Sequence, residues 1–138
     1  MRLAMRIQAI LYAALSLSLL PACQTERPRA TAISQAAGLP DHDPALAHRL
    51  VAEGALLLDV RTPDEYADRH IDGALNFPVD ELSSRADDLA KLSGNDRKKP
   101  IVVYCGTGKR AARAKALLTS QGYEAVTNLG GIDDWARD

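Results

Sequence analysis

Two apolar runs limit what this chain can become. Ala55-Leu56-Leu57-Leu58 and Ile101-Val102-Val103-Tyr104 show no polar alternation. A strand with one wet face alternates, so runs apolar at every position belong to strands covered on both faces. Helix-like stretches separate the runs. Strand and helix in turn imply an α/β fold: a mostly parallel central sheet with helices on both faces.

The rest of the chain fits that frame. Asp43-Pro44 opens a helix with an N-cap residue and Pro in its first turn, and Gly54 stops it. Leu46, Leu50 and Val51 give that helix its apolar face. Thr62-Pro63-Asp64-Glu65 has the form of a capping box and predicts a short helix through about His70. Gly73 to Phe77 is a short strand closed by Pro78, and a helix is expected from about Val79 to Leu92. Ser93 to Pro100 reads as a polar loop. Beyond the second apolar run, a helix is expected over Ala111–Gln121 and a last strand over Ala125–Leu129. Gly130-Gly131 then leads into a terminal helix, with Trp135 as core packing.

Cys105 is where the pattern turns chemical. It closes the second apolar run and opens Cys105-Gly106-Thr107-Gly108-Lys109-Arg110. Strand, small-residue loop and helix start aim backbone N–H groups and a helix dipole at one sulfur. That arrangement favours the thiolate, the nucleophilic form of cysteine. Gly106 and Gly108 let the backbone turn its amides inward, while Lys109 and Arg110 are placed to orient an anion. Asp59 also stands at a strand's carboxyl end, where ligands of parallel sheets bind. It is open between a near-site and a structural role. Arg61 is expected as an ion-pair residue, with Glu65 as its candidate partner. His70 reads as a loop anchor.

Charge and residue types exclude other chemistries. The 138 residues carry a formal net charge of -1, which argues against nucleic acid as a bulk electrostatic partner. The histidines and cysteines show no metal-ligand spacing, so neither a metal nor a cofactor is expected.

The N-terminus reads as a targeting segment. Arg2 and Arg6 precede a mostly apolar stretch, Ile7–Leu20, too short for a membrane span and suited to a signal peptide. Leu20-Pro21-Ala22-Cys23 resembles a bacterial lipobox, which makes Cys23 the lipidation residue. Residues 1–22 are then a lipoprotein signal peptide, 23–40 a tether and 41–138 the domain. Gln24 after the cysteine points to the periplasmic face of the outer membrane in a bacterial envelope. With Cys23 lipidated, Cys105 is the sole thiol of the mature chain, in an oxidising compartment.

Four co-linear segments resemble the rhodanese family: Leu58–Tyr66, His70–Pro78, Tyr104–Arg110 and Leu129–Trp135. The resemblance covers about Asp43 to Asp138 and implies a rhodanese-like fold. It also implies sulfurtransferase chemistry through a Cys105 persulfide. The implied partners are a small anionic sulfur donor such as thiosulfate and a thiol or cyanide acceptor, with the membrane reached through the N-terminal lipid. Gly106, Thr107, Gly108, Lys109 and Arg110 form the implied persulfide loop, with Asp59 and Arg61 in support. Three positions depart from the family's pattern: Gly106 stands where Arg is frequent, Arg69 where Gly is usual, and Asp72 where Pro is usual. The first removes one contact to the donor.

Two rival readings remain. A rhodanese-fold phosphatase or arsenate reductase also uses a cysteine, a loop and an arginine, but over C-x5-R. Here Cys105 to Arg110 is C-x4-R, a narrower loop suited to a single sulfur. A non-catalytic binding module of the same fold is the other rival.

Overall fold

The computed structural model describes residues 38–137. The signal segment, Cys23 and most of the expected tether lie outside the described residues. The first helix, α1, spans Pro44–Ala52. The Asp43 side chain accepts from the Leu46 N–H at 2.9 Å, as its N-cap identity predicts. Strand β1 is Leu56–Asp59 and helix α2 is Pro63–Asp68. The α2 capping box forms as expected: Thr62 Oγ1 accepts from the Glu65 N–H, and Glu65 Oε2 accepts from the Thr62 N–H. Strand β2, Leu75–Asn76, is two residues long. Helix α3 is Ala86–Leu92, β3 is Ile101–Cys105, α4 is Lys109–Ser120 and β4 is Val126–Gly131. A 3-10 turn, Ile132–Ala136, follows where a terminal helix was expected.

The sheet is fully parallel with order β2-β1-β3-β4. Every residue of β3 is buried, which is why its sequence lacks alternation. Alternate residues feed two cores. Leu58, Val103, Cys105, Ala111, Ala114 and Leu118 lie in one, on the side of α3 and α4. Leu57, Val102 and Tyr104 lie in the other, with Leu46, Ala47 and Leu50 of α1.

Two expectations need correction. The helix expected from Val79 begins only at Ala86. The Pro78 carbonyl accepts from the Glu81 N–H at 2.8 Å, and Ser84 Oγ donates to the Glu81 carbonyl, so residues 79–85 close into tight turns instead. The apolar residues that suggest a helix, Val79 and Leu82, are still buried. The α4 helix starts two residues earlier than expected. Gly108 has φ 88° at its N-cap, so the chain turns sharply there and Lys109 and Arg110 enter the first turn.

The outer edge of β4 is covered by residues 39–42. His42 N–H donates to the Asn128 carbonyl at 2.8 Å, Asn128 N–H donates to Asp41, and Thr127 Oγ1 donates to the Pro40 carbonyl. Lys115 pairs with Asp41 at 2.6 Å and staples this segment to α4. These contacts occupy an edge that would otherwise present unpaired backbone groups. Leu39 and Pro40, the last residues of the expected tether, therefore already pack on the domain.

Candidate active site

Cys105 ends β3 and lies beside Gly131 of β4 in the sheet register. It is the free cysteine among the described residues and is 1% exposed. The Gly108 N–H donates to its Sγ at 3.0 Å. The three loop residues Gly106–Gly108 thus curl the chain back over the sulfur, and α4 points its N-terminus at the same place.

The neighbouring strand makes room for this loop. A Cβ at Gly131 would stand 2.7 Å from the Gly106 carbonyl oxygen, closer than a side chain tolerates. Asn128 fixes the other end. Its Nδ2 donates to the Gly108 carbonyl at 3.2 Å, and its Oδ1 accepts from the Gly130 N–H at 2.9 Å. Asp134 Oδ2 accepts from the Gly131 N–H at 2.7 Å. Sequence reasoning does not single out Asn128, and it places Gly131 and Asp134 in the Leu129–Trp135 segment without joining them to the cysteine loop. The paired glycines directly after an apolar strand are the available signal, since close backbone approach needs such residues.

The cations around the loop are unequal. Lys109 is exposed, and none of the ion pairs among the described residues uses it. Arg110 is held by Glu65 in a two-bond fork, Nη1 to Oε2 at 2.6 Å and Nη2 to Oε1 at 2.8 Å. Arg110 holds the Glu65 carboxyl down to about 2, against the smaller upward push of burial, and the Thr62 hydrogen bonds add to the lowering. Glu65 raises the Arg110 pKa above its usual range, burial opposes this, and the Cys105 sulfur adds to the rise.

This pairing corrects the expected partner of Glu65. Arg61 binds Asp59 instead, with Nε at 3.0 Å from Oδ1 and Nη2 at 2.6 Å from Oδ2. The hydrogen bond to Asp59 raises the Arg61 pKa, with burial opposing. The same guanidinium donates to the Arg69 carbonyl, and the Tyr104 hydroxyl accepts from the Ile71 N–H at 3.1 Å. Burial pushes the Tyr104 phenol well above its usual range, so the ring stays neutral. Asp59 is the register partner of Tyr104, not of Cys105, and Tyr104 faces the α1 core. The Asp59 and Cys105 side chains therefore leave opposite faces of the sheet. The Asp59–Arg61 pair holds the loop at the Arg69 carbonyl.

His70 Nδ1 lies 2.9 Å from the Tyr66 carbonyl oxygen, and its ring stacks on Tyr66. Trp135 packs on His48 with ring centroids 3.7 Å apart. Arg69 pairs with Asp133 across the surface at 2.8 Å. Thr107 is exposed at the loop tip.

Most of the described chain is similar to known proteins. The profile of the family described as "Rhodanese-like domain" matches residues 43–138. The thiosulfate sulfurtransferase PspE of Escherichia coli strain K12 is 35% identical over 79 residues, 57% of this chain and 72% of that protein. A sulfurtransferase of Allochromatium vinosum is 40% identical over 95 residues, 67% of this chain and 83% of that one. Among solved structures, the human single-domain sulfurtransferase TSTD1 superposes with a TM-score of 0.56 at 33% identity. The match covers 74% of this chain and 95% of that one. A rhodanese with anions from E. coli superposes with a TM-score of 0.53 at 33% identity, covering 59% and 91%.

Proposed function

This chain belongs to the rhodanese family, and from that premise we propose that Cys105 carries sulfane sulfur from an anionic donor to a nucleophilic acceptor. Sulfurtransferase-type activity holds at the level of the family. The particular donor, acceptor and residue roles are our reading.

One observation carries it. The Cys105 sulfur accepts from the Gly108 N–H at the N-terminus of α4. A thiolate there attacks the outer sulfur of a donor such as thiosulfate. A new S–S bond forms on Cys105, the donor's S–S bond breaks, and sulfite leaves with the electron pair. The persulfide's outer sulfur is then taken by cyanide or a thiolate, and the Cys105 thiolate returns. Backbone N–H groups and the helix dipole favour anionic sulfur at both stages.

The phosphatase reading lacks support on the same geometry. The arginine such an enzyme turns on phosphate is committed here to Glu65. Thiosulfate:cyanide turnover of the purified domain separates the readings. Turnover is expected with the native protein, with one added sulfur on Cys105 by mass spectrometry, and none with Cys105→Ser. Full turnover by Cys105→Ser, or phosphatase activity in place of sulfur transfer, would overturn the proposal.

The proposed location is the bacterial envelope, anchored through lipid on Cys23 at the periplasmic face of the outer membrane. The reading rests on Leu20-Pro21-Ala22-Cys23 and Gln24. Among the described residues no helix is long and apolar enough to cross a membrane. Cys23→Ala is expected to shift the protein out of the membrane fraction or to block its maturation. An unlipidated mature form beginning at Cys23 would refute the anchor.

A further inference from the structure

Gly106 stands where the family's pattern has a frequent arginine, yet the space beside it is not empty. A Cβ at Gly106 would lie 3.4 Å from Arg110 Nη2. The Arg110 guanidinium therefore folds back from the first turn of α4 and lies against the residue after Cys105. Glu65 holds it there through both of its oxygens. Glu65 is itself fixed, because its carboxylate also accepts from the Thr62 N–H and lies 3.1 Å from Thr62 Oγ1. The cation that lies against Gly106 thus arrives with an anion attached. Lys109 is left as the loop cation without an ion-pair partner among the described residues.

We propose that Glu65 is a specificity-determining residue that offsets the charge of Arg110, so that the site's preference for doubly charged over singly charged sulfur donors is weakened. This rests on the sulfur-transfer reading above. A donor bound at the loop meets the attraction of Arg110 and the repulsion of Glu65 together, and both scale with the donor's charge. Two unmatched cations would favour a dianion strongly. One cation beside a matched pair favours it far less. Thiosulfate carries two negative charges and an arylthiosulfonate carries one. Both place the same sulfur on Cys105: the S–S bond to Cys105 forms, the donor's S–S bond breaks, and sulfite or arylsulfinate leaves with the electron pair.

The test compares kcat/KM for thiosulfate and benzenethiosulfonate, with cyanide as acceptor. In Glu65→Gln the side chain keeps an oxygen for Arg110 and loses its charge. The ratio of thiosulfate to benzenethiosulfonate is expected to rise about three- to tenfold at low ionic strength. That rise should shrink as salt is added. Glu65→Asp keeps the charge and should leave the ratio near the native value. Arg110→Gln leaves the carboxylate facing the donor and should move the ratio the other way. A purely structural role would change both donors alike and leave the ratio still. An unchanged or lower ratio in Glu65→Gln, or an equal rise in Glu65→Asp, would overturn the proposal. A native protein inert with both donors would instead overturn the sulfur-transfer reading and this one with it.

Discussion

Two arginine–carboxylate pairs lie close together in this molecule and behave as different devices. Asp59–Arg61 is 0% and 7% exposed at the side chains, and Glu65–Arg110 is 38% exposed at both. The first pair is local, two residues apart, and faces the α1 core. The second joins residues 45 apart and brings a cation to Cys105. Burial separates their roles. A buried pair ties backbone together and is expensive to break, because the surviving charge has no solvent. A half-exposed pair adds little stability but shapes the field that an incoming anion meets. The short stretch from Asp59 to Glu65 thus supplies both a strut and a charge setting.

Breaking the strut should have the largest effect on stability. In Asp59→Ala the Arg61 guanidinium loses its buried partner and keeps only the Arg69 carbonyl among its side-chain acceptors. We expect a loss of about 3–5 kcal/mol, the usual cost of orphaning a buried charge. For a domain of about 100 residues that lowers Tm by more than about 10 °C. Thermal unfolding followed by circular dichroism reads it. A loss below about 1 kcal/mol would place this pair with ordinary surface pairs and remove the contrast.

Much of the scaffold is legible in the amino-acid sequence, and the limits have physical causes. The β1 and β3 runs are readable because full burial removes alternation. The caps of α1 and α2 are readable because N-capping is set within four residues. The stretch from Val79 to Arg85 is not. Its apolar spacing suits a helix, but Pro78 and Ser84 close turns that still bury Val79 and Leu82. The position of Cys105 at a strand end is legible, and so are its loop glycines. The partner of Glu65 is not. Arg61, four residues away, is the local candidate, while Arg110 reaches Glu65 only through tertiary folding. Asn128 is hidden for the same reason, since its role depends on a glycine twenty residues earlier.

Removing the cation of the exposed pair should show the reverse profile to Asp59→Ala. Arg110→Ala takes away positive charge beside Cys105 and leaves Glu65 unmatched. Thiosulfate kcat/KM is expected to fall by about tenfold, as for loss of a charge that contacts an anionic ligand. Tm should move by less than in Asp59→Ala, because a half-exposed pair contributes little to folding. Steady-state kinetics and thermal unfolding on the same samples check both halves. A variant that unfolds readily but turns over thiosulfate at the native rate would reverse the assignments of the two pairs.

The smallest effect is expected in acid, and it isolates the exposed pair. The Glu65 carboxyl is held near a pKa of about 2, below its ordinary 4.5, chiefly by the hydrogen bonds from Arg110. A depressed folded-state pKa means that the unfolded chain binds the proton more readily. Stability from this group is then fully present above the ordinary carboxylate range and is lost as pH falls from about 4.5 toward about 2. Half-exposure screens the interaction, so the contribution should resemble that of other surface pairs, about 0.2–1 kcal/mol. Glu65→Gln cannot titrate and should lack this part of the acid slope. The measurement is the difference in unfolding free energy between native and Glu65→Gln at pH 6 and at pH 3, by denaturant titration. The difference should be larger at pH 6 and narrow at pH 3. A constant difference would mean that the Glu65 charge contributes nothing to folding, and the pair would then act on the donor alone.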